Sequence, residues 1–156
     1  MPSSADVAFA QRIAVSADAA AIAALTLEAY AKWVPLIGRE PKPMEADYDR
    51  AVREHRIDLA YQDGALAGLI ETITRPDHLL IENVAVAPSW QGRGIGRALM
   101  AHAERLAAAE RYRELRLYTN KAFAENVALY LKLGYRIDRE ETLPVGVAVH
   151  MSKAVV

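Results

Sequence analysis

The sequence contains no cysteine among its 156 residues. Disulfide bonds, thiolate metal sites and a covalent acyl-cysteine intermediate are therefore excluded, and the chain is compatible with a reducing compartment. The histidines also lack the spacing of metal-ligand pairs, so we predict no bound metal at any of the four: His55, His78, His102 and His150.

An excess of charge of either sign is also absent, because the formal net charge is −1. No global basic field would recruit nucleic acid or an anionic membrane, so any phosphate must bind at a local site. Charges interrupt the apolar stretches within about a dozen residues, short of the ~20 needed to span a bilayer. Met1–Ala10 has no Lys or Arg before its apolar residues, unlike a secretory signal. We expect a cytoplasmic protein that binds neither nucleic acid nor membrane.

Hydrophobic residues make up 53% of the chain and charged residues 25%, which is a globular composition. The length suits one domain, which we predict over residues 1–156. Periodicity and turn signals predict strands at 9–15, 57–62, 65–74, 79–87, 115–119, 135–139 and 145–153, and helices at 17–32, 44–55, 94–111 and 123–133. Strands interleaved with helices indicate an α/β or α+β sheet protein.

A glycine-rich turn follows the apolar strand 79–87 and opens the next helix. Gly92, Gly94 and Gly96 at alternate positions allow a sharp turn and close approach to a ligand. The first N–H groups of the helix have no intrahelical partner and favour an anion, and Arg93 and Arg97 add charge. The pattern therefore predicts a phosphate-binding site, with an ordinary tight turn as the alternative.

The spacing of this turn excludes two other phosphate motifs. A P-loop needs Gly-x-x-x-x-Gly-Lys-Ser/Thr, which does not occur in the chain. The dinucleotide fingerprint needs Gly-x-Gly-x-x-Gly, but Arg97 or Leu99 occupies its last position, depending on the starting glycine.

Two further segments accompany the turn, one being the strand 82–88 and the other 126–135, with Asn126, Tyr130 and Gly134-Tyr135. Together with Gln91-Gly92-Arg93-Gly94-Ile95-Gly96, they resemble the GCN5-related N-acetyltransferase (GNAT) superfamily, whose signature is Gln/Arg-x-x-Gly-x-Gly/Ala. The resemblance implies a mixed, mostly antiparallel central sheet of about seven strands with about four helices.

The same resemblance implies acetyl-coenzyme A as cosubstrate. Its pantetheine arm would lie between strands four and five, along the backbone of Val84, Ala85 and Val86. Its pyrophosphate would sit on the N–H groups of Gln91–Arg97, which are those of Gln91, Gly92, Arg93, Gly94, Ile95, Gly96 and Arg97. Asn126 would contact the cofactor and Tyr130 would approach its sulfur.

Transfer to an amine needs a proton donor for the leaving thiolate and a proton acceptor for the amine. Tyr130, one helical turn after Asn126, is the candidate acid, with a core-packing role as the alternative. Glu82 interrupts an apolar strand, where a carboxylate is costly unless paired or near water. It is the candidate base, with a structural ion pair as the alternative.

Four residues are candidates for binding the acceptor. Tyr30 and Trp33 lie where the family closes its acceptor pocket with the first two helices, although they could equally pack the helix on the sheet. Asn83 could bind the acceptor or cap a bulge. Tyr118 could line the acyl channel or pack in the core.

These features predict an N-acetyltransferase that acts on a small-molecule or protein amine by direct attack within a ternary complex. A non-catalytic acyl-CoA-binding module or sensor is the alternative, and transfer of a longer acyl group is a third reading. The last strand pair would allow a homodimer.

Overall fold

The computed structural model describes residues 9–156, and in it seven strands form one sheet. The strands are β1 Ala10–Ile13, β2 Arg56–Gln62, β3 Ala65–Thr74, β4 Leu79–Val86, β5 Glu114–Asn120, β6 Arg136–Leu143 and β7 Gly146–Ala154. Their order is β1-β2-β3-β4-β5-β7-β6, and every neighbouring pair is antiparallel except β4 and β5. This confirms the predicted mixed, mostly antiparallel sheet.

The described helices are α1 Ala19–Tyr30, α2 Val34–Ile37, α3 Lys42–Glu45, α4 Tyr48–Glu54, α5 Ile95–Ala109 and α6 Ala124–Lys132. Within residues 9–156, the four that exceed a single turn, α1, α4, α5 and α6, match the predicted number. The predicted helix 44–55 is wrong as one piece, because Ala46 is extended and separates α3 from α4. Asp47 causes the restart, since its side chain accepts a hydrogen bond from the N–H of Arg50, at 3.2 Å, and caps α4.

The core lies on both faces of the sheet. On one face α5 contributes Ile95, Leu99 and Ala103 to a buried cluster with residues of β3, β4 and β5. On the other face α1 and α4 pack over β2 and β3, with Ile22 and Leu25 of α1 buried. The two layers fix α1 and α5 on either side of β4, the central strand.

The sheet opens between its two parallel strands. β4 and β5 pair over three positions only, Leu79 with Leu115, Leu80 with Arg116 and Ile81 with Leu117. Beyond Ile81, β4 continues with β3 and β5 continues with β7. A bulge marks the start of this opening, because β3 pairs with Ile81 and then Asn83 and leaves Glu82 unmatched.

By length and composition alone, the helical stretch Ser16–Ile37 is sufficient to cross a membrane. The expectation that charge makes every apolar stretch too short is therefore wrong for this segment. In the fold, however, the same stretch supplies Ile22, Leu25 and Ala29 to the buried core. The core helix of a soluble protein can have the same length and apolar composition as a membrane span. The absence of membrane binding therefore stays a prediction.

Candidate active site

The turn between β4 and α5 adopts backbone angles that favour glycine. Gly92 has φ of 77° and Gly94 has φ of 84°, in the left-handed region where a Cβ is strained. Gly94 is also the N-cap of α5 and supplies no side chain to bond the first turn of the helix. The local sequence therefore leaves the start of α5 open toward solvent.

Six consecutive amides of this turn, from Gly92 to Arg97, donate to no acceptor within residues 9–156. The hydrogen bonds of the preceding backbone end at Trp90, which donates to Ala87, and at Gln91, which donates to Pro88. Unpaired amides at a helix N-terminus form an anion site. Four of the six belong to the first turn of α5, as in any helix, and those of Gly92 and Arg93 are additional.

These amides border a cavity of 780 Å³, here called the turn cavity. Its wall includes most of the predicted turn residues, namely Gln91, Gly92, Gly94, Ile95, Gly96 and Arg97. The Ile95 side chain is buried in the core, so Ile95 can contribute only its backbone. Arg93 is not part of the wall, since its guanidinium carbon lies 4.9 Å from the centre of the Trp90 ring.

Gln91 fixes the position of the turn rather than facing the cavity alone. Its Nε2 donates to the carbonyl of Val86 at 3.1 Å, and its Oε1 accepts from Lys32 Nζ at 3.4 Å. Lys32, which sequence reasoning missed, thereby brings a cation from the end of α1 to the wall of the turn cavity. A positive charge beside unpaired amides strengthens the attraction for an anion.

The backbone of β4 alternates so that Val84 and Val86 face the opening. The N–H of Ala87 donates to Ala67 of the β3 side at 2.8 Å. Because successive residues of a strand point their N–H and C=O groups to opposite edges, Ala85 also faces β3, whereas Val84 and Val86 face away from it. An extended group entering the opening would therefore meet the amides of Val84 and Val86, and their contact with the cofactor stays a prediction.

A second cavity of 1010 Å³, here called the wide cavity, lies on the other side of the opening. It is bordered by α3, α4, β4, β5 and the β6–β7 turn. Four residues line both cavities: Tyr30, Val84, Asn126 and Tyr130. The two cavities therefore meet at the point where the sheet splits, and Asn126 and Tyr130 lie there.

Tyr130 presents a phenol to this junction. Its ring contacts that of Tyr135 edge-on, with 6.0 Å between ring centres. Burial raises the pKa of Tyr130 to about 12, so the hydroxyl holds its proton at neutral pH. No hydrogen-bond partner for this hydroxyl is found in residues 9–156, which leaves the proton available to a group in the junction.

Glu82 lies in the wall of the wide cavity within a three-residue cluster. Its Oε1 accepts a hydrogen bond from Tyr118 at 3.1 Å and lies 3.6 Å from Lys42 Nζ, which itself donates to the Tyr118 hydroxyl at 2.9 Å. The hydrogen bond with Tyr118 raises the pKa of Lys42, and burial raises that of Tyr118. The carboxylate thus has the ionic partner that was one of its two predicted readings.

Tyr30 and Asn83 form a second network beneath the junction. The Tyr30 hydroxyl donates to Asn83 Oδ1 at 2.7 Å and is 3.3 Å from the Val84 carbonyl, and Asn83 Nδ2 donates to Tyr48 at 3.3 Å. Burial raises the pKa of Tyr30 well above the ordinary value. Asn83 borders the wide cavity but is only 4% exposed, and its amide links Tyr30 of α1 to Tyr48 of α4.

Trp33 borders the turn cavity and not the wide cavity. Its ring stacks on Phe123, with 4.4 Å between ring centres, and joins the end of α1 to the start of α6. Its predicted contact with the acceptor therefore lacks support from its position, whereas Tyr30 and Tyr118 do line the wide cavity.

Sequence reasoning missed a buried carboxylate on β3. Glu71 interrupts the apolar run Leu69–Ile73 much as Glu82 interrupts β4, which was the available signal. Its Oε2 lies 2.7 Å from His55 Nδ1, and both residues line the wide cavity. Within residues 9–156, no group of three or more His, Asp or Glu side chains is arranged to hold a metal ion, and the absence of a metal stays a prediction.

Where the sheet opens between its parallel strands, a cavity bordered by unpaired amides meets a second cavity with acidic and tyrosine side chains in its wall. The chain belongs to the Acetyltransferase (GNAT) family, whose sequence profile matches residues 22–135. The resemblance found from the sequence is thereby confirmed.

Individual relatives agree with this assignment. N-alpha-acetyltransferase 80 of Mus musculus is 38% identical over 71 residues, which is 46% of this chain and 21% of the mouse protein. The match thus spans about a fifth of that relative. The structure of the PaiA N-acetyltransferase from Thermoplasma acidophilum in complex with coenzyme A has a TM-score of 0.79, with 16% identity over 95% of this chain and 99% of that one.

A putative acetyltransferase from Salmonella typhimurium, solved with its cofactor acetyl-CoA, gives a TM-score of 0.71. It is 16% identical over 96% of this chain and 95% of its own. At these identities the two structures establish the fold of this chain, and what they bind is a property of those proteins.

Proposed function

We propose that the protein is an N-acetyltransferase that moves the acetyl group of acetyl-CoA to a primary amine by direct attack. The observation that carries the proposal is the junction of the two cavities. There the turn cavity, which the unpaired amides border, meets the wide cavity beside the protonated Tyr130. One cavity accommodates a donor and the other an acceptor, and Tyr30, Val84, Asn126 and Tyr130 border both.

The turn cavity suits the diphosphate of acetyl-CoA. Six amides without protein acceptors, together with Lys32 and Arg97, supply hydrogen bonds and positive charge to it. The pantetheine arm then runs along β4 in the place of a neighbouring strand and accepts hydrogen bonds from the amides of Val84 and Val86. The Thermoplasma protein was solved with coenzyme A and the Salmonella protein with acetyl-CoA, which supports the choice of cosubstrate.

At the junction the acceptor nitrogen attacks the thioester carbon. The amide of Val84 faces this point and donates to the developing oxyanion, which is a strong source of rate acceleration in a site closed to water. The hydroxyl of Tyr130 donates its proton to the departing sulfur. With a pKa raised to about 12 by burial, the phenol is protonated at neutral pH and so carries the proton that an acid needs.

The alternative, a non-catalytic acyl-CoA-binding module, would need the turn cavity alone. The wide cavity favours catalysis, because it opens onto the junction and has ionisable side chains in its wall. A module that only binds acyl-CoA would not need the phenol of Tyr130 at the junction without a hydrogen-bond partner from the protein.

Purified protein with acetyl-CoA and a panel of amines, followed with a thiol reagent, tests the proposal. We expect amine-dependent release of free CoA and an acetylated amine of matching mass. The panel should contain alkyl polyamines, amino acids, aminoglycosides and peptides with a free N-terminus or lysine. Tight binding of acetyl-CoA without thiol release across that panel would favour the module, and parallel runs with propionyl-CoA and succinyl-CoA would define the acyl preference.

A further inference from the structure

A histidine and a buried carboxylate lie side by side in the wall of the wide cavity. His55 caps the C-terminal end of α4, and Glu71 lies in β3 with a side chain that is 5% exposed. His55 Nδ1 is 2.7 Å from Glu71 Oε2, while the imidazole is 27% exposed. The carboxylate is therefore buried behind the ring, and the ring faces the cavity.

The geometry fixes which ring nitrogen is available. Nδ1 is engaged by Glu71, and Nε2 of His55 makes no hydrogen bond with residues 9–156. When an ionised carboxylate accepts the Nδ1 proton, the lone pair of the imidazole lies on Nε2. Glu82, the base candidate from the sequence, is by contrast already bonded to Tyr118 and faces Lys42.

We propose that His55, oriented by Glu71, takes the proton of the acceptor ammonium at Nε2, directly or through one bound water. The proposal rests on the acetyltransferase function above. The neutral nitrogen then forms the C–N bond, the C–S bond breaks, and Tyr130 protonates the sulfur. The nitrogen loses two protons in all. His55 passes the first to solvent. The second replaces the proton that Tyr130 gave to the sulfur, so it is accounted for by the new S–H bond.

The electrostatic surroundings of Glu71 bear on its role beside the imidazole. Burial raises the pKa of Glu71, while the hydrogen bond with His55 opposes that effect. A positive imidazole next to it would stabilise the ionised carboxylate. Glu82 and Lys42 are the other charged groups that act on Glu71, and Arg50 and Glu54 of α4 line the same cavity as His55. The phenols of Tyr30 and Tyr48 lie on the α1 and α4 side.

Three variants test the assignment: His55→Gln, Glu71→Gln and, as a control, His78→Gln. His78 pairs with Asp77 at the same 2.7 Å but lies outside both cavities. With the alkylamine that the panel identifies, His55→Gln should lower kcat/KM at pH 7 by about 100-fold, within the usual range for a lost base. Glu71→Gln should lower it less, and His78→Gln should leave it unchanged.

The pH profile separates a base from a structural role. Toward the amine's own pKa, near ~10, much of the acceptor is neutral in solution, so the His55→Gln deficit should shrink. A deficit that stays constant with pH, or wild-type activity in His55→Gln, would overturn the proposal while leaving the acetyltransferase function intact. Absence of turnover in the wild type would instead remove the function itself.

Nitrogen-15 NMR of the imidazoles gives a readout that needs no acceptor. We expect neutral His55 to carry its proton on Nδ1, and Glu71→Gln to alter that signal while the His78 signal stays unchanged. A neutral His55 that carries its proton on Nε2 in the wild type would contradict the assignment, whatever the activity. Circular dichroism and CoA affinity equal to wild type would show that each variant is folded.

Discussion

The phenol of Tyr130 tests the residue-scale chemistry most directly. Tyr130→Phe removes one oxygen from a side chain that otherwise packs against Tyr135. Because the thiolate then departs without its proton, we expect kcat to fall by about 100-fold or more while the Kd for CoA changes little. Steady-state kinetics and calorimetric titration measure the two quantities. Equal kcat in the variant would mean that water or another group protonates the sulfur.

Gly94 tests the anion site with a matched pair of substitutions. Its φ of 84° strains any side chain, and Asn and Asp tolerate this region best and similarly. Gly94→Asp places a negative charge beside the six unpaired amides, whereas Gly94→Asn adds the same volume without charge. We expect Asp to weaken CoA binding at least tenfold more than Asn, as measured by titration at low salt. Equal Kd values would argue against a phosphate at this turn.

Residues close in sequence were the ones that sequence reasoning could assign. Gln91–Gly96 is a local pattern, and its glycines and helix start predict an anion site wherever the sheet lies. The His55–Glu71 pair joins residues 16 positions apart, and the Lys42–Tyr118 bond joins residues 76 apart. Only the packing of α3 and α4 over the sheet brings these groups together, and the periodicity of the sequence does not predict that packing.

At the scale of elements, β4 carries both the boundary of the opening and the donors that line it. The bulge at Glu82 ends the pairing with β5, and the strand continues for four residues as an edge on that side. An edge strand inside a folded sheet is a ready template for an extended ligand. The position of β4 between α1 and α5 keeps that edge rigid.

Gly68 of β3 governs how closely α5 approaches the sheet. A Cβ there would meet the Ala85 carbonyl at 3.0 Å and the side chains of Ile95 and Leu99 at 3.2 Å each. We expect Gly68→Ala to lower the free energy of unfolding by ~1–3 kcal/mol through overpacking. The urea midpoint with an unchanged m-value measures this. Gly96→Ala is the control, since its nearest atom would be 3.7 Å away, and a loss as large as that of Gly68→Ala would refute the close-packing argument.

The secondary elements were predictable where one signal dominated, and not where two competed. Asp63-Gly64 forms the expected turn between β2 and β3, with φ of 52° and 78°. In the region of α3 and α4, residues 44–55 favour a continuous helix. Asp47, however, also favours the N-cap position, and its capping of α4 divides the segment. The separation of β4 from β5 coincides with a change from apolar to polar residues, since Glu82 and Asn83 follow Ile81 and Thr119 and Asn120 follow Leu117. Periodicity alone does not show that the two strands part at this point.

At the scale of the whole molecule, the sheet is two halves joined by the short β4–β5 pairing. Across the opening, the stacked rings of Trp33 and Phe123 and the contact of Lys42 with Tyr118 join them as well. A ligand that pairs with β4 and ends beside α6 would contact both halves. Its binding should therefore stabilise the whole fold and not only the turn.

Hydrogen exchange with and without CoA tests this arrangement. At a CoA concentration of 100 times Kd, linkage predicts about 2.7 kcal/mol of added stability for a ligand that binds the native state alone. We expect the amides of Val84, Val86 and Gly92–Arg97 to gain protection beyond that global increment, because they would donate to the ligand itself. Tyr130→Phe should keep this pattern, and Gly94→Asp should lose it. Exchange at these amides that stays unchanged at saturating CoA would show that the opened edge of β4 and the start of α5 hold nothing.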